Sequence, residues 1–261
     1  MRKKFLLLLL VFIFGIFIII TGCESSGTPA PDAGEATGSG DSVEKFYSYL
    51  IQPHIHAQEP IIMREPFLEI MGQADQPIAY YYQDIVKIAG HSSGATAGAW
   101  VMLEKALDLL YPGDEIPVRG HIIIHAPAPA DQWEVGVFGE MFTMITAASP
   151  SSGFPGSAFG EDFNRRYLLK YPDEKSDVPF PMMDWIFERK DTGKKVSIGF
   201  NLFMVQEPST PAHQLVQGKL VRGEATDEEV AGWQEYWNKR SVFIFENADK
   251  LPGLFRVQEL N

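Results

Sequence analysis

Apolar residues recur with a helical period over positions 99–110, and positions 84–89 are mostly apolar. Those at 99, 103, 106, 107 and 110 follow the 3.6-residue repeat of one buried helix face. The small residues Ser92, Ser93 and Gly94 precede this face and directly follow His91. We therefore predict a helix that ends near Leu110 and begins beside a histidine. Backbone N–H groups in a first helical turn lack helical partners, so the small residues predict a pocket for a ligand or an anion.

Strand patterns follow this helix. Residues 118–125 are β-branched between prolines, and residues 185–189 and 195–200 flank a Lys-Asp-Thr-Gly-Lys turn that is typical of a hairpin. Between these strands, residues 135–148 have helical spacing. This order of elements predicts an α+β fold with a mixed or antiparallel sheet packed against helices.

The C-terminal part contains a linker and a capped helix. The prolines at 208 and 211 predict the start of a linker. Thr226 and Glu229 form a capping-box pattern, which predicts a C-terminal helical extension over 226–247. Residues 251–261 are either a loose tail or a late strand.

The N-terminus has the layout of a secretory signal, with basic residues at 2–4 and an uncharged apolar run at 5–20. The following Ile-Thr-Gly-Cys23 resembles the lipobox of bacterial lipoproteins, which implies removal of residues 1–22 and acylation of Cys23. The alternative is an uncleaved anchor, although 16 apolar residues span about 24 Å, less than the roughly 30 Å of a bilayer core. We predict a lipid-anchored protein of the cell envelope that faces the periplasm or the exterior.

Composition separates a tether from a folded domain. Residues 23–41 lack large apolar side chains and are rich in Gly, Ser and Pro, so they predict a flexible linker ahead of a single domain over 42–261. Removal of residues 1–22 takes away three positive charges and changes the formal net charge from −12 to −15. Because phosphate binding depends on clustered Lys and Arg, this acidity predicts that neither nucleic acid nor anionic lipid is a partner of the folded part. No pattern indicates the oligomeric state.

Other histidines are candidate metal ligands. In an extended chain, His54 and His56 project to one side about 6.6 Å apart, near enough to share an ion; the alternative is two exposed loop histidines. His121 and His125 lie on one face of the predicted strand but about 13 Å apart. At most one of these two can therefore join a given metal ion.

Several motifs over residues 78–205 together resemble the FmdE-like family, which takes its name from a component of formylmethanofuran dehydrogenase. They are Gly90-His91-x-Ser93 with Ala97-Gly98-Ala99, Pro117 to Gly120, the helix over 139–148, Phe163 to Arg166, and Asp191 to Lys194. The resemblance implies an α+β domain that holds a metal ion, usually zinc. His91 matches the family's histidine, whereas Ser93 stands where the family has cysteine and Gly94 where it has proline.

The serine leaves two hypotheses open, because a neutral hydroxyl is a poor zinc ligand. In the first, the domain holds zinc or another divalent transition metal through His91 and either His125 or His121, with His54 or His56. A non-covalent haem with histidine ligands is a variant of this hypothesis. In the second, the metal site is lost and the lipoprotein binds a small molecule or a partner.

Two further features bear on function. Arg165 and Arg166 stand out in an acidic chain, and they either pair with carboxylates at the edge of the core or bind an anionic ligand. An enzyme is a third hypothesis, in which Glu140 or Asp131 acts as the base of a metal-assisted hydrolysis. We assign no catalytic residue.

Overall fold

The computed structural model describes residues 50–157, 159–160, 163–177, 184–205 and 211–260. The predicted signal segment, the predicted acylation site Cys23 and the predicted linker over 23–41 lie outside these residues. Within the described ranges, no helix is both long enough and apolar enough to cross a membrane.

Strands form two sheets. A small antiparallel pair joins the first two strands, and the other five form a mixed sheet in the order β4-β3-β5-β6-β7, in which only β3 and β4 run parallel. The strands are β1 (Ile61–Met63), β2 (Ile78–Tyr80), β3 (Ile122–His125), β4 (Leu169–Lys170), β5 (Asp184–Arg189), β6 (Lys195–Phe200) and β7 (Phe255–Leu260). This mixed sheet confirms the predicted fold class.

Helices pack on the large sheet or on one another. They are α1 (Pro66–Ile70), α2 (Tyr82–Ala89), α3 (Gly94–Leu110), α4 (Val135–Thr146), α5 (Pro211–Arg222) and α6 (Asp227–Asn247). The central helix α3 packs on β6, α4 and α6. Gly98 allows the contact with β6, because a Cβ there would lie 2.3 Å from the Phe200 ring. Helix α4 packs Phe142 edge-on against Trp185 and Phe187 of β5, with ring centroids 5.0 and 5.1 Å apart.

Elements set by local signals were predicted correctly. Helix α3 ends at Leu110, the hairpin joins β5 to β6, and the side chain of Thr226 caps α6 by accepting a bond from the Glu229 N–H. Residues 255–260 form strand β7, so the alternative of a late strand is confirmed and the alternative of a loose tail is wrong.

Other predictions were wrong. Residues 54–56 are not extended, because Pro53–Ile55 forms a 3-10 turn, and proline favours the first position of such a turn. The strand predicted over 118–125 begins only at Ile122. The predicted linker after Pro208 gives way at Pro211 to helix α5, which packs against α6.

Candidate functional site

The entrance of α3 is filled rather than open. Ser93 caps the helix, accepting a bond from the Thr96 N–H at 3.2 Å, and the Thr96 hydroxyl accepts from the Ser93 N–H at 2.7 Å. A Cβ at Gly94 would lie 2.8 Å from the Leu202 side chain, so the space beside the first turn is occupied. Beside Gly94, the space of the pocket predicted from the small residues is therefore filled by Leu202.

A neutral hydrogen-bond network lies behind this entrance. The buried Ser92 hydroxyl is 3.0 Å from His54 Nε2, 2.8 Å from the Tyr82 hydroxyl and 3.0 Å from the Ser241 hydroxyl. Trp237 Nε1 donates to the Ser92 carbonyl at 2.7 Å. Burial, and secondly the charge of His56, lower the pKa of His54. The network is uncharged at neutral pH and its groups satisfy one another.

Residues 90–94 also read Gly-His-Ser-Ser-Gly, which matches the Gly-x-Ser-x-Gly pattern of nucleophile elbows. An elbow follows a strand and exposes its serine, whereas Ser92 lies between two helices and is only 7% exposed. Its bond to His54 therefore joins chain segments, and we assign it no catalytic role.

The predicted metal ligands have separate partners. His91 is exposed, with Nδ1 3.0 Å from the Ala89 carbonyl, and His56 Nε2 is 2.7 Å from the Leu50 carbonyl. His125 Nε2 lies 3.1 Å from a Glu188 oxygen on the half-buried face of the sheet, and His54 belongs to the Ser92 network. Across the described part of the chain, no three His, Cys, Asp or Glu side chains are grouped to hold a metal ion. The described residues thus do not form the implied donor set, and a metal or haem cofactor stays a prediction.

A second buried polar cluster joins Glu65, Arg119 and Arg165. Glu65 precedes α1 and accepts from Arg165 Nη2 at 2.5 Å and from Arg119 Nη1 at 2.9 Å. Arg165 also donates to the Arg119 carbonyl at 2.5 Å. The predicted pairing of Arg165 with a carboxylate is confirmed. We call these three residues the Arg–Glu–Arg cluster.

Backbone geometry fixes the cluster in place. Arg119 donates from Nε to the Ile145 carbonyl at 2.8 Å and from Nη2 to the Met144 carbonyl at 2.9 Å, at the end of α4. Gly120 has a φ of +79°, and a Cβ there would lie 1.4 Å from Arg165 Nη1. Only glycine leaves room for the Arg165 guanidinium at this position.

The cluster carries more positive than negative charge. Two guanidinium groups face one carboxylate, and the side chains of Glu65 and Arg165 are only 8% and 5% exposed. Burial lowers the pKa of Arg165 most strongly; Glu65 opposes this shift and the charge of Arg119 adds to it. Because arginine keeps its charge in proteins, the cluster holds one surplus positive charge, shared between the buried Arg165 and Arg119, whose side chain is 19% exposed.

A cavity of about 360 Å³ opens above the Arg–Glu–Arg cluster. Its other walls are mainly apolar, formed by Phe67, Leu68, Ala147, Phe154 and Phe163. This volume falls within the range of small-molecule sites, and a few polar groups among apolar walls are their usual composition. The arrangement suits a ligand with an anionic end and an apolar body.

A second cavity has the opposite charge. It measures about 540 Å³ and is lined by Glu59, Glu104, Asp108, Glu115 and Asp249, with Lys105 as the one cation among its lining residues. Burial raises the pKa of Glu104 to about 7. Anions are repelled there, so the phenylalanine-lined cavity is the better place for an anionic ligand.

Comparison of the chain with family models, with curated proteins and with solved structures gave no match in any of the three. The resemblance to the FmdE-like family therefore stays a prediction, and the candidate site depends on the geometry alone.

Sequence reasoning identified one member of the cluster. Arg165 was a candidate for anion binding because it is a basic residue in an acidic chain. Glu65 and Arg119 were missed, since they stand 100 and 46 positions before Arg165 and share no periodic pattern with it. The available signal was Gly120 beside Arg119, because a glycine with positive φ often accommodates a close neighbour.

Proposed function

We propose that this protein is a lipid-anchored lipoprotein of the cell envelope whose α+β domain binds a small molecule with an anionic group and an apolar body. The observation that carries this proposal is the surplus positive charge of Arg119 and Arg165 against Glu65 at the base of an apolar cavity. An anionic group placed there would offset the formal positive charge that Glu65 alone does not balance.

The arginines have donors suited to an anion. Each guanidinium has five N–H groups, and the described bonds use three of Arg119 and two of Arg165. Planar guanidinium groups bind carboxylate and phosphate in two-pronged geometry. The ligand's anionic group would occupy the base of the cavity and its apolar part would contact Phe67 and Phe163.

The envelope location is supported by the N-terminal sequence. Cys23 is the chain's single cysteine and stands where a lipobox requires it. The linker that follows would hold the domain roughly 20–25 Å from the bilayer, facing the periplasm or the exterior. The ligand would then come from the envelope or from outside the cell.

The test compares an acid with its neutral analogue on the full chain in lipid nanodiscs. Phenylacetate should bind the protein and phenylacetamide should bind at least about tenfold more weakly, because hydrogen bonds to charged groups contribute about 1.5–3 kcal/mol. Isothermal titration calorimetry, with empty nanodiscs as the blank, measures the affinities of both compounds. Equal affinities for acid and amide would contradict the proposal.

Adjacent arginines provide matched variants. Arg165→Gln should weaken phenylacetate binding about tenfold or more, whereas Arg166→Gln should leave it unchanged, because Arg166 is outside the cavity lining. Circular dichroism checks that both variants fold. An equal loss of affinity in both variants would show that phenylacetate binding depends on the net charge of the protein rather than on the cavity. If Arg165→Gln does not fold, the comparison of phenylacetate with phenylacetamide on the natural protein still tests the proposal.

A further inference from the structure

Exposed apolar side chains either line the phenylalanine-lined cavity or neighbour Phe67 in its wall. Phe154 lines the cavity and is 71% exposed, and Phe159 is 71% exposed with its ring 5.6 Å from Phe67. Ile70 and Met71, 63% and 48% exposed, follow Phe67 by three and four positions and so lie on the same side of α1. We call these four residues, Phe154, Phe159, Ile70 and Met71, the apolar rim.

Polarity therefore changes from the base of the site to its mouth. The base holds the buried guanidinium of Arg165 beside the partly buried one of Arg119. The walls hold Phe67 and Phe163 with ring centroids 5.8 Å apart, and the rim is apolar and open to solvent. Single exposed apolar residues are ordinary, but several around one cavity mark a binding surface. The matching ligand enters with its charged end first and leaves an apolar tail along the walls and rim.

Other ligand classes match this gradient less well. An inorganic anion would satisfy Arg119 and Arg165 but leave the aromatic walls in contact with water. A neutral lipid would cover the walls but leave the buried charge uncompensated. The volume of about 360 Å³ is near the lower end for small-molecule sites, which favours one chain over two.

We propose that the ligand is a single-chain amphiphile with a carboxylate or phosphate head bound at Arg119 and Arg165 and an alkyl chain along Phe67 and Phe154. This inference rests on the proposed function and adds the ligand class to it. The rim places the far end of the chain at the surface of the domain, where a protein tethered to a membrane meets such molecules.

The test is a chain-length series on the full chain in lipid nanodiscs. Acetate, butyrate, hexanoate and octanoate are titrated by calorimetry with empty nanodiscs as the blank. Affinity should rise about fourfold for each added methylene until the cavity is filled, because each buried methylene contributes a constant increment. Octyl phosphate against octanoate identifies the preferred head group, and octanamide should bind at least about tenfold more weakly than octanoate.

Two exposed phenylalanines provide matched variants. Phe154→Ala should flatten the rise of affinity with chain length, and Phe203→Ala should not, because Phe203 is 80% exposed and outside the cavity lining. Both side chains are largely in water, so both variants are expected to fold. An equal effect of the two variants would show unspecific partitioning and overturn the inference.

The outcomes separate the two proposals. If the acids bind with an affinity that does not depend on chain length, the proposal of an amphiphilic ligand is wrong, while the proposed anion-binding function is not contradicted. If octanamide binds as tightly as octanoate, or if no acid binds at all, the anion-binding function itself is wrong.

Discussion

Two buried polar regions of this domain invite comparison. The Ser92 network gathers His54, Tyr82 and Ser241, and the Arg–Glu–Arg cluster gathers Glu65, Arg119 and Arg165. Both join segments that are far apart in the chain. The first is neutral and closed by Leu202 beside Gly94, whereas the second has a surplus charge and opens into a cavity.

The difference shows which kind of buried polarity indicates a ligand. Groups that satisfy one another without net charge stabilise the fold and need nothing else. A buried charge with too few counter-charges is costly unless another molecule supplies them. Of the histidines that first suggested a site, His54 belongs to the first kind of environment, and Arg119 and Arg165 belong to the second.

The strongest test of this contrast is Glu65→Gln. It removes the carboxylate that lies between the buried guanidinium of Arg165 and the partly buried guanidinium of Arg119, and the free energy of unfolding should fall by about 3–5 kcal/mol. Urea denaturation at pH 7 measures this change. The folded variant should bind phenylacetate more tightly than the natural protein, because its surplus charge is larger. A loss below about 1 kcal/mol would show that the Glu65 carboxylate does not offset a buried surplus of positive charge.

Gly120→Ala should have the next largest effect. Its Cβ meets Arg165 Nη1 and its φ is +79°, so we expect a loss of about 2–3 kcal/mol and at least tenfold weaker phenylacetate binding. Gly193→Ala in the hairpin turn is the control, because φ is +71° there and nothing lies within 4 Å of the added atom. That variant should lose only about 1 kcal/mol and keep binding intact.

Ser92→Ala tests the neutral region. It removes a hydroxyl that three side chains share, so stability should fall by about 1–3 kcal/mol while phenylacetate binding is unchanged. A fluorophosphonate probe should leave the natural protein unlabelled, because Ser92 is buried. Labelling that disappears in Ser92→Ala would identify Ser92 as a catalytic serine. The Ser92 network would then be a functional site rather than a structural one.

The buried His54 should make stability depend on pH. Its pKa lies below the ordinary value of 6.5 because of burial, so below about pH 6.5 the unfolded chain binds a proton that the folded chain resists. Stability is therefore retained above pH 6.5 and lost as the pH falls through the lowered pKa. Urea unfolding at pH 7 and pH 5 should show a larger loss for the natural protein than for His54→Gln. Equal losses would show that His54 is not buried as a neutral group.

The smallest effect is expected for His91→Ala. His91 is exposed and bonds only a neighbouring carbonyl among the described residues, so stability should change by less than about 0.5 kcal/mol and phenylacetate binding should be unchanged. Metal analysis of the purified full chain is the matching measurement. Stoichiometric zinc in the natural protein that is lost in this variant would support the metal-binding prediction and place function at the entrance of α3.

The sequence determined by itself those features that depend on neighbours a few positions apart. The period of α3, the Gly193 turn between β5 and β6, and the Thr226 cap of α6 arise from local geometry and local hydrogen bonds, so their patterns are visible in the chain. The α+β class follows from the order of these elements.

Tertiary structure decided which polar residues meet. Ser92 bonds Ser241 across 149 positions and Arg165 bonds Glu65 across 100, and no local pattern records such pairs. Packing of Leu202 beside Gly94 closed the predicted pocket, while the space left by Gly120 admitted Arg165. The sequence could show that histidines and arginines were unusual, but only the folded chain decides which are satisfied by neighbours and which retain an unbalanced charge.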